Sequence, residues 1–108
     1  MAQDFRNALF RQIGTSDQAL LAGGNYDAVI GIRCCNILTS TIAVDVKIAK
    51  GGNDFFLAKG VSIPPNSAIE LIQGGAKILL DSTNTLEAVS DTASSLDVTV
   101  SYIDTISS

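Results

Sequence analysis

The chain has 108 residues, 46% of them hydrophobic, a net charge of −4, and neither histidine nor tryptophan. That length makes one domain, able to bury roughly 65% of its unfolded surface without a metal or disulfide staple. The acidic balance excludes a basic nucleic-acid face. The seven cations, Arg6, Arg11, Arg33, Lys47, Lys50, Lys59 and Lys77, are scattered and form no phosphate- or membrane-binding run.

No segment reaches the roughly 18 apolar residues of a membrane span. Near the start, Asp4, Arg6 and Arg11 interrupt the apolar core that a signal peptide needs, so synthesis in a cytosol without export by that route is expected. Residues 1–16 form the first unit. Phe5, Leu9 and Ile13 recur at i, i+4 and i+8 with Phe10 beside them, a stripe that predicts a short helix ended by Gly14, Thr15 and Ser16. So short a helix is marginal alone. The segment, helical or extended, is expected to cap its own domain or to lie on a neighbouring subunit.

From residue 17 to 108 the period changes to two, and this second unit is predicted to be a β-domain. Ala28, Ile30, Ile32 and Cys34 alternate with Val29, Gly31, Arg33 and Cys35. Ile42, Val44, Val46 and Ile48 alternate with Ala43, Asp45, Lys47 and Ala49. Such alternation marks half-buried antiparallel strands. Lys50 to Asp54 reads as a turn, so Ile42 to Lys59 is predicted to be a hairpin. Three shorter strands follow, Ala68 to Ile72, Lys77 to Leu80 and Thr85 to Val89, and then Leu96 to Ile103. Turns rich in Gly, Asn, Asp and Ser separate them. The expected fold is all-β, an antiparallel β-sandwich of about seven or eight strands with a short N-terminal helical or extended arm. The apolar residues Val29, Ala43, Ala49 and Ile103 fall on strand faces predicted to point outward, which suits a subunit contact.

The chemistry is sparse. Without histidine there is no Ser-His-Asp or Cys-His arrangement and no usual zinc site. Asp45, Asp97 and Asp104 fall on polar strand faces, and Asp54, Asp81 and Asp91 fall in turns. No pair is placed as a glycosidase pair, and no run has the spacing of a calcium loop. Gly74-Gly75-Ala76-Lys77 is not a phosphate loop, because Ala76 separates Gly75 from the lysine and Ile78 stands where a hydroxyl is needed. The glycines instead predict a tight hairpin or bulge. Pro64-Pro65-Asn66-Ser67 predicts a corner where the chain leaves a strand. The adjacent Cys34 and Cys35 should face opposite ways, one buried and one outward. An outward Cys35 could bridge two chains under oxidising conditions. No enzymatic activity, cofactor or metal is expected.

Three runs then stand out: VIGIRCCNILTSTIAVDVKI, GGNDFFLAKGVSIPPNSAIELI and GAKILLDSTNTLEAVSDTASSLDVTVSYID. Their order resembles small β-sandwich structural proteins of tailed bacteriophages. It has a T/S-rich turn into VDVxI, a GGxDxxLAK hairpin, an IPPxSxxEL corner, a KxxL strand and a final SxDVxVSYI strand. The resemblance runs from Ala28 to Asp104 and excludes the Cys34-Cys35 pair and the N-terminal stretch. It implies a non-enzymatic virion protein, assembled in the host cytoplasm, that decorates the capsid or sits at the neck or tail, with capsid decoration favoured. Capsid, neck or tail proteins and further copies of itself are the expected partners, with no nucleic acid and no membrane. Phe5, Leu9, Phe10, Ile13 and Cys35 are the residues expected to make contacts. A receptor- or carbohydrate-binding sandwich is the alternative. It is weakened by the lack of tryptophan and by having only Tyr26 and Tyr102 to stack on sugars.

Overall fold

A computed structural model describes residues 4–22, 27–72 and 78–104. The described residues form nine strands and no helix: β1 (Asp4–Ile13), β2 (Gln18–Ala22), β3 (Asp27–Asn36), β4 (Ile42–Lys50), β5 (Asn53–Ile63), β6 (Ala68–Glu70), β7 (Ile78–Leu80), β8 (Thr85–Ser90) and β9 (Leu96–Asp104). One sheet has the order β1-β9-β3-β6, with β7 also on β3, and the other has the order β2-β8-β4-β5. All pairings are antiparallel.

The pairing is nested. β4 pairs with β5, β3 with β6 and β7, β2 with β8, and β1 with β9. The chain is thus one long hairpin with its tip at Gly51-Gly52, rolled until β9 also meets β3 and β8 also meets β4. This is a jelly-roll sandwich. The tip is the predicted one. Lys50 pairs with Asn53, and the two glycines between them have φ of 59° and 84°. Positive φ at both central positions is the two-residue turn whose twist suits a hairpin.

Between the sheets lies one aliphatic core. Ile32, Ile42, Ile63, Leu80, Leu86 and Leu96 are fully buried, with Val29, Val44, Val46, Val98 and Val100 packed among them. Each such side chain contributes about 1.5–3 kcal/mol by leaving water.

Four crossings between the sheets gather at one end, at residues 14–17, 37–41, 64–67 and 91–95, and Asn36 ties two of them, 37–41 and 64–67, together. Its side chain is wholly buried. Asn36 Nδ2 donates to the carbonyls of Ser40 (2.7 Å), Ile63 (3.0 Å) and Pro64 (3.1 Å), and Oδ1 accepts from the Leu38 N–H (2.9 Å). Asn36 N–H donates to Ser67 O, and Ile37 N–H donates to Ser95 O. The IPPNS corner forms as predicted, with Asn66 at φ 53° and its N–H on Leu38 O. The 91–95 crossing is held by a buried serine pair, Ser90 Oγ to Ser95 Oγ at 2.6 Å, and by backbone bonds from Ser90 to Gly14 and from Ser95 to Ile13.

Three expectations are corrected. The period-four stripe Phe5, Leu9, Ile13 does not make a helix, because residues 4–13 are strand β1. A spacing of four is also a multiple of two, and eight paired residues on β9 outweigh a helix too short to nucleate. Val29 does not face outward but is wholly buried. The register on β9 slips between Val29 and Gly31, so Ile30 is an extra residue and the strand changes phase there. Nor are β6 and β7 the two legs of a hairpin. Both run antiparallel to β3, at Arg33–Cys35 and at Asp27–Val29, and so share one direction. The Gly74-Gly75 turn and the Lys77 strand start lie outside the described residues, as does Tyr26. Ala43, Ala49 and Ile103 are half-buried and sit on the outer faces expected of them.

Replacing Asn36 with Ala is expected to lower the unfolding free energy by about 2–4 kcal/mol, because three carbonyls, that of Ile63 buried, and one N–H lose their partner. Replacing Ser40, which contributes only its backbone carbonyl, should change little. Urea midpoints of the two variants against the unaltered chain measure the difference.

Candidate interaction surface

Directly paired residues in adjacent strands share a face. The outer face of the β1-β9-β3 sheet can therefore be read row by row. One row is Phe5, Ile103, Ala28 and Leu79. Phe5 is 77% exposed and Leu79 65%, with Ile103 half-buried and Ala28 sunk between Ile103 and Leu79. The next is Asn7, Ser101 and Gly31, and the third is Leu9, Thr99, Arg33 and Glu70. Leu9 is 66% exposed, and Arg33 Nε bonds Glu70 Oε1 at 3.2 Å.

The middle row is the low one. At Gly31 a Cβ would meet Glu70 Oε2 at 3.6 Å and Ser101 Cβ at 3.7 Å, which is ordinary contact, so it is the missing bulk and not strain that hollows the face. A shallow depression of about 510 Å³ runs past Phe5, Asn7, Ile30, Ser101 and Tyr102. A smaller one of about 230 Å³ lies among Gly31, Arg33, Glu70, Thr99 and Ser101. The result is a small-residue trough between two ridges that carry the most exposed large apolar groups among the described residues.

The five residues expected to make contacts divide. Phe5 and Leu9 stand on this face. Cys35 is on it too, half-buried in the row of Asp97 and Ala68. Phe10 packs inward against the core, and Ile13 is a core residue at 3% exposure. For Phe10 the reason is plain alternation, since it pairs with the inward Val98, and for Ile13 it is a bulge. The register slips between Phe10 and Ile13, Gln12 has φ 54°, and Ile13 turns inward. Leu79 joins the surface through the topology, which sequence alone does not give, and Ile103 stands on the outward face that its alternation predicted. A second apolar stretch, Phe55, Phe56 and Leu57, is exposed on β5, and three apolar residues in succession on an alternating strand were its signal.

The carboxylates are engaged elsewhere. Asp97 Oδ1 accepts the Gln12 N–H at 2.9 Å, and Asp45 Oδ1 accepts the Gly60 N–H at 2.7 Å, each beside a residue of positive φ. Asp91 accepts from Ala43 N–H and Thr92 Oγ1, and Asp81 from Thr83 N–H and Oγ1. The Ala43 N–H and then the Thr92 hydroxyl hold Asp91 below its ordinary pKa. The two Thr83 donors, backbone first, do the same for Asp81, with Lys50 adding to them.

Lys47 has a side chain only 8% exposed, between Asp17 at 2.9 Å and Asp54 at 3.1 Å. Its pKa is raised by those bonds, Asp17 first, which outweigh its desolvation. The Phe56 ring lies under the Lys59 ammonium at 4.3 Å. No group of three potential metal ligands occurs among the described residues.

No protein-family model matches the chain, and no curated protein matches it.

Two outcomes follow. Because the folded pKa values of Asp81 and Asp91 lie below the 3.8 of a free side chain, their contribution is complete above that value and is lost as pH falls through the folded pKa. Stability should drop on acidification below about pH 4, and Asp81→Asn with Asp91→Asn should flatten that limb in chemical denaturation across pH 2–7. The second concerns the thiols. Cys34 is wholly buried, and burial, with Glu70 nearby, pushes it up to about 12. A thiol reagent at neutral pH should modify Cys35 alone in the folded chain, and both cysteines once it is unfolded.

Proposed function

We propose that the protein is a non-enzymatic structural protein of a tailed-bacteriophage virion, assembled in the host cytoplasm and bound to capsid, neck or tail proteins. Capsid decoration is the favoured role. The observation that carries the reading is the ridged outer face of the β1-β9-β3 sheet, where Phe5, Leu9 and Leu79 are 65–77% exposed. Side chains of that size standing free on one rigid sheet suit attachment to another protein surface.

Two further points support it. The resemblance of the strand and turn order to phage β-sandwich proteins covers β3 to β9. The carboxylates with depressed pKa values are turn clamps, and neither faces a cleft. The fold itself is neutral, since jelly rolls serve as capsid proteins, lectins and enzymes alike. A sugar platform is less well supported, because the depressions offer only two rings for stacking, Phe5 and Tyr102, and the chain has no tryptophan.

Antibody against the purified chain should label intact tailed-phage particles, and the chain should co-sediment with them. Leu79→Glu should weaken that attachment tenfold or more, the loss expected when one apolar anchor is replaced by a charge, with the thermal midpoint unchanged. A chain that stays in the supernatant and instead binds defined glycans at sub-millimolar concentration overturns the reading in favour of a receptor-binding module.

A further inference from the structure

The sheet edges are not equally protected. β2 has five residues and a register shift between Ala19 and Leu21. β6 and β7 have three residues each. On β5 the register slips twice, opposite Val44 to Lys47, and Gly60 has φ 62°. Short strands and bulges of this kind keep an edge from pairing with other chains. β1 lacks both devices over most of its length. From Asp4 opposite Asp104 to Phe10 opposite Val98 its register never slips, and its bulge comes only at Gln12. Among the described residues β1 is also the last strand of its sheet, so one side of its backbone has no described strand beside it. It carries Phe5 and Leu9, two of the three most exposed large apolar side chains among the described residues.

We propose that β1 pairs antiparallel with β1 of a second copy about a two-fold axis at Asn7, setting Phe5 of each copy opposite Leu9 of the other. The occupant follows from the symmetry of the segment itself. Phe5 and Leu9 lie two places either side of Asn7 on the outer face, and Arg6 and Ala8 lie one place either side on the other face. A two-fold pairing at Asn7 therefore sets apolar against apolar, and each arginine against a methyl group and not against the other arginine. A register moved by one residue would oppose Phe5 to Phe10, which faces the core, and register slips of one residue put side chains on opposite faces. A register moved by two would set Phe5 against Arg11 and Leu9 against Asn7.

The backbone edge with these side chains buries on the order of 1,000 Å² over two copies, at the lower limit of a specific interface. The dimer is thus a concentration-dependent one, and it joins two sheets into one continuous surface of doubled width. The inference deepens the assembly surface proposed above and rests on that face being an interface, though not on which particle it meets.

Sedimentation velocity of the full chain over a range from about 1 to 200 μM, around the micromolar affinity of a small interface, should show a monomer–dimer equilibrium. Phe5→Glu and Leu9→Lys, both at exposed positions, should each shift it at least tenfold towards monomer with an unchanged thermal midpoint. Mixing the two single variants should restore association, because the carboxylate at position 5 then faces the ammonium at position 9 across the axis. A chain that is monomeric throughout overturns the proposal. So does a dimer indifferent to both substitutions, and so does a mixture that fails to associate. Particle co-sedimentation of the same samples keeps the two readings apart. A dimer that never attaches leaves the pairing standing and removes the virion reading, and an attaching monomer does the reverse.

Discussion

The architecture depends on one buried amide. A jelly roll is a long hairpin that must cross between its two sheets several times, and each crossing brings backbone carbonyls and N–H groups to the end of a dry core. Unpaired, each would cost about 1–3 kcal/mol. Asn36 meets four of them from one side chain, reaching into the 37–41 crossing, the end of β5 and the proline corner. An aliphatic residue could fill the space but not the hydrogen bonds, and Asp could not donate to three carbonyls. The Ser90–Ser95 pair plays the corresponding part for the 91–95 crossing, where both hydroxyls are buried and bonded. Among the described residues no buried side-chain polar atom is left without a partner. The crossing end is therefore held by buried hydrogen bonds as well as by apolar packing.

The carboxylates follow the same logic at a smaller scale. A bulge frees a backbone N–H from the ladder, and in this chain an aspartate from the neighbouring strand takes it up, Asp97 at Gln12 and Asp45 at Gly60. Those bulges have consequences for the surface. The one at Gln12 turns Ile13 into the core while leaving Phe5 and Leu9 outside, and so divides one apolar stripe into a structural part and an exposed part. The side chains that look most like chemistry in the sequence, the acids, act as fasteners. The side chains that look most like core, Phe5, Leu9 and Leu79, form the surface on which recognition can act.

This is also why the sequence was legible in some places and not in others. Strict alternation with turn residues at its ends identified β4, the β4–β5 hairpin, β8 and β9, because both the period and the Gly51-Gly52 tip are local properties. The proline corner was legible for the same reason, since proline restricts its neighbours wherever it stands. Bulges are not local in this sense. An extra residue at Ile30 or Gln12 exists only relative to the partner strand, and it reverses the face of everything beyond it. The stripe Phe5, Leu9, Ile13 fits a helix and a bulged strand equally until β9 is known to lie beside it. Sheet assignment is nonlocal too. Leu79 belongs with Phe5 only because β7 and β1 flank β3 and β9, across 74 residues of chain. Two of the five expected contact residues, Phe5 and Leu9, proved to be prominent on that face, while Phe10 and Ile13 turned towards the core.

A face and an edge make different demands on a partner. The outer face of the β1-β9-β3 sheet offers side chains only, since its backbone groups are already in ladders, so whatever docks there must match shape. The edge of β1 offers backbone groups, which accept any strand in register and so select a partner weakly. Selectivity at such an edge must come from the alternate side chains flanking it. In this chain they repeat symmetrically about Asn7, which favours a copy of the same strand over an arbitrary one. Closing the edge with a copy then does two things at once. It removes the one long unprotected edge among the described residues, which would otherwise be an aggregation template. It also extends the ridged face across two chains, so that a surface too small to hold one copy firmly gains a second point of attachment. Two linked contacts of modest strength bind far more tightly than either alone, and under the proposed reading that is what would let so small a domain hold to a larger assembly.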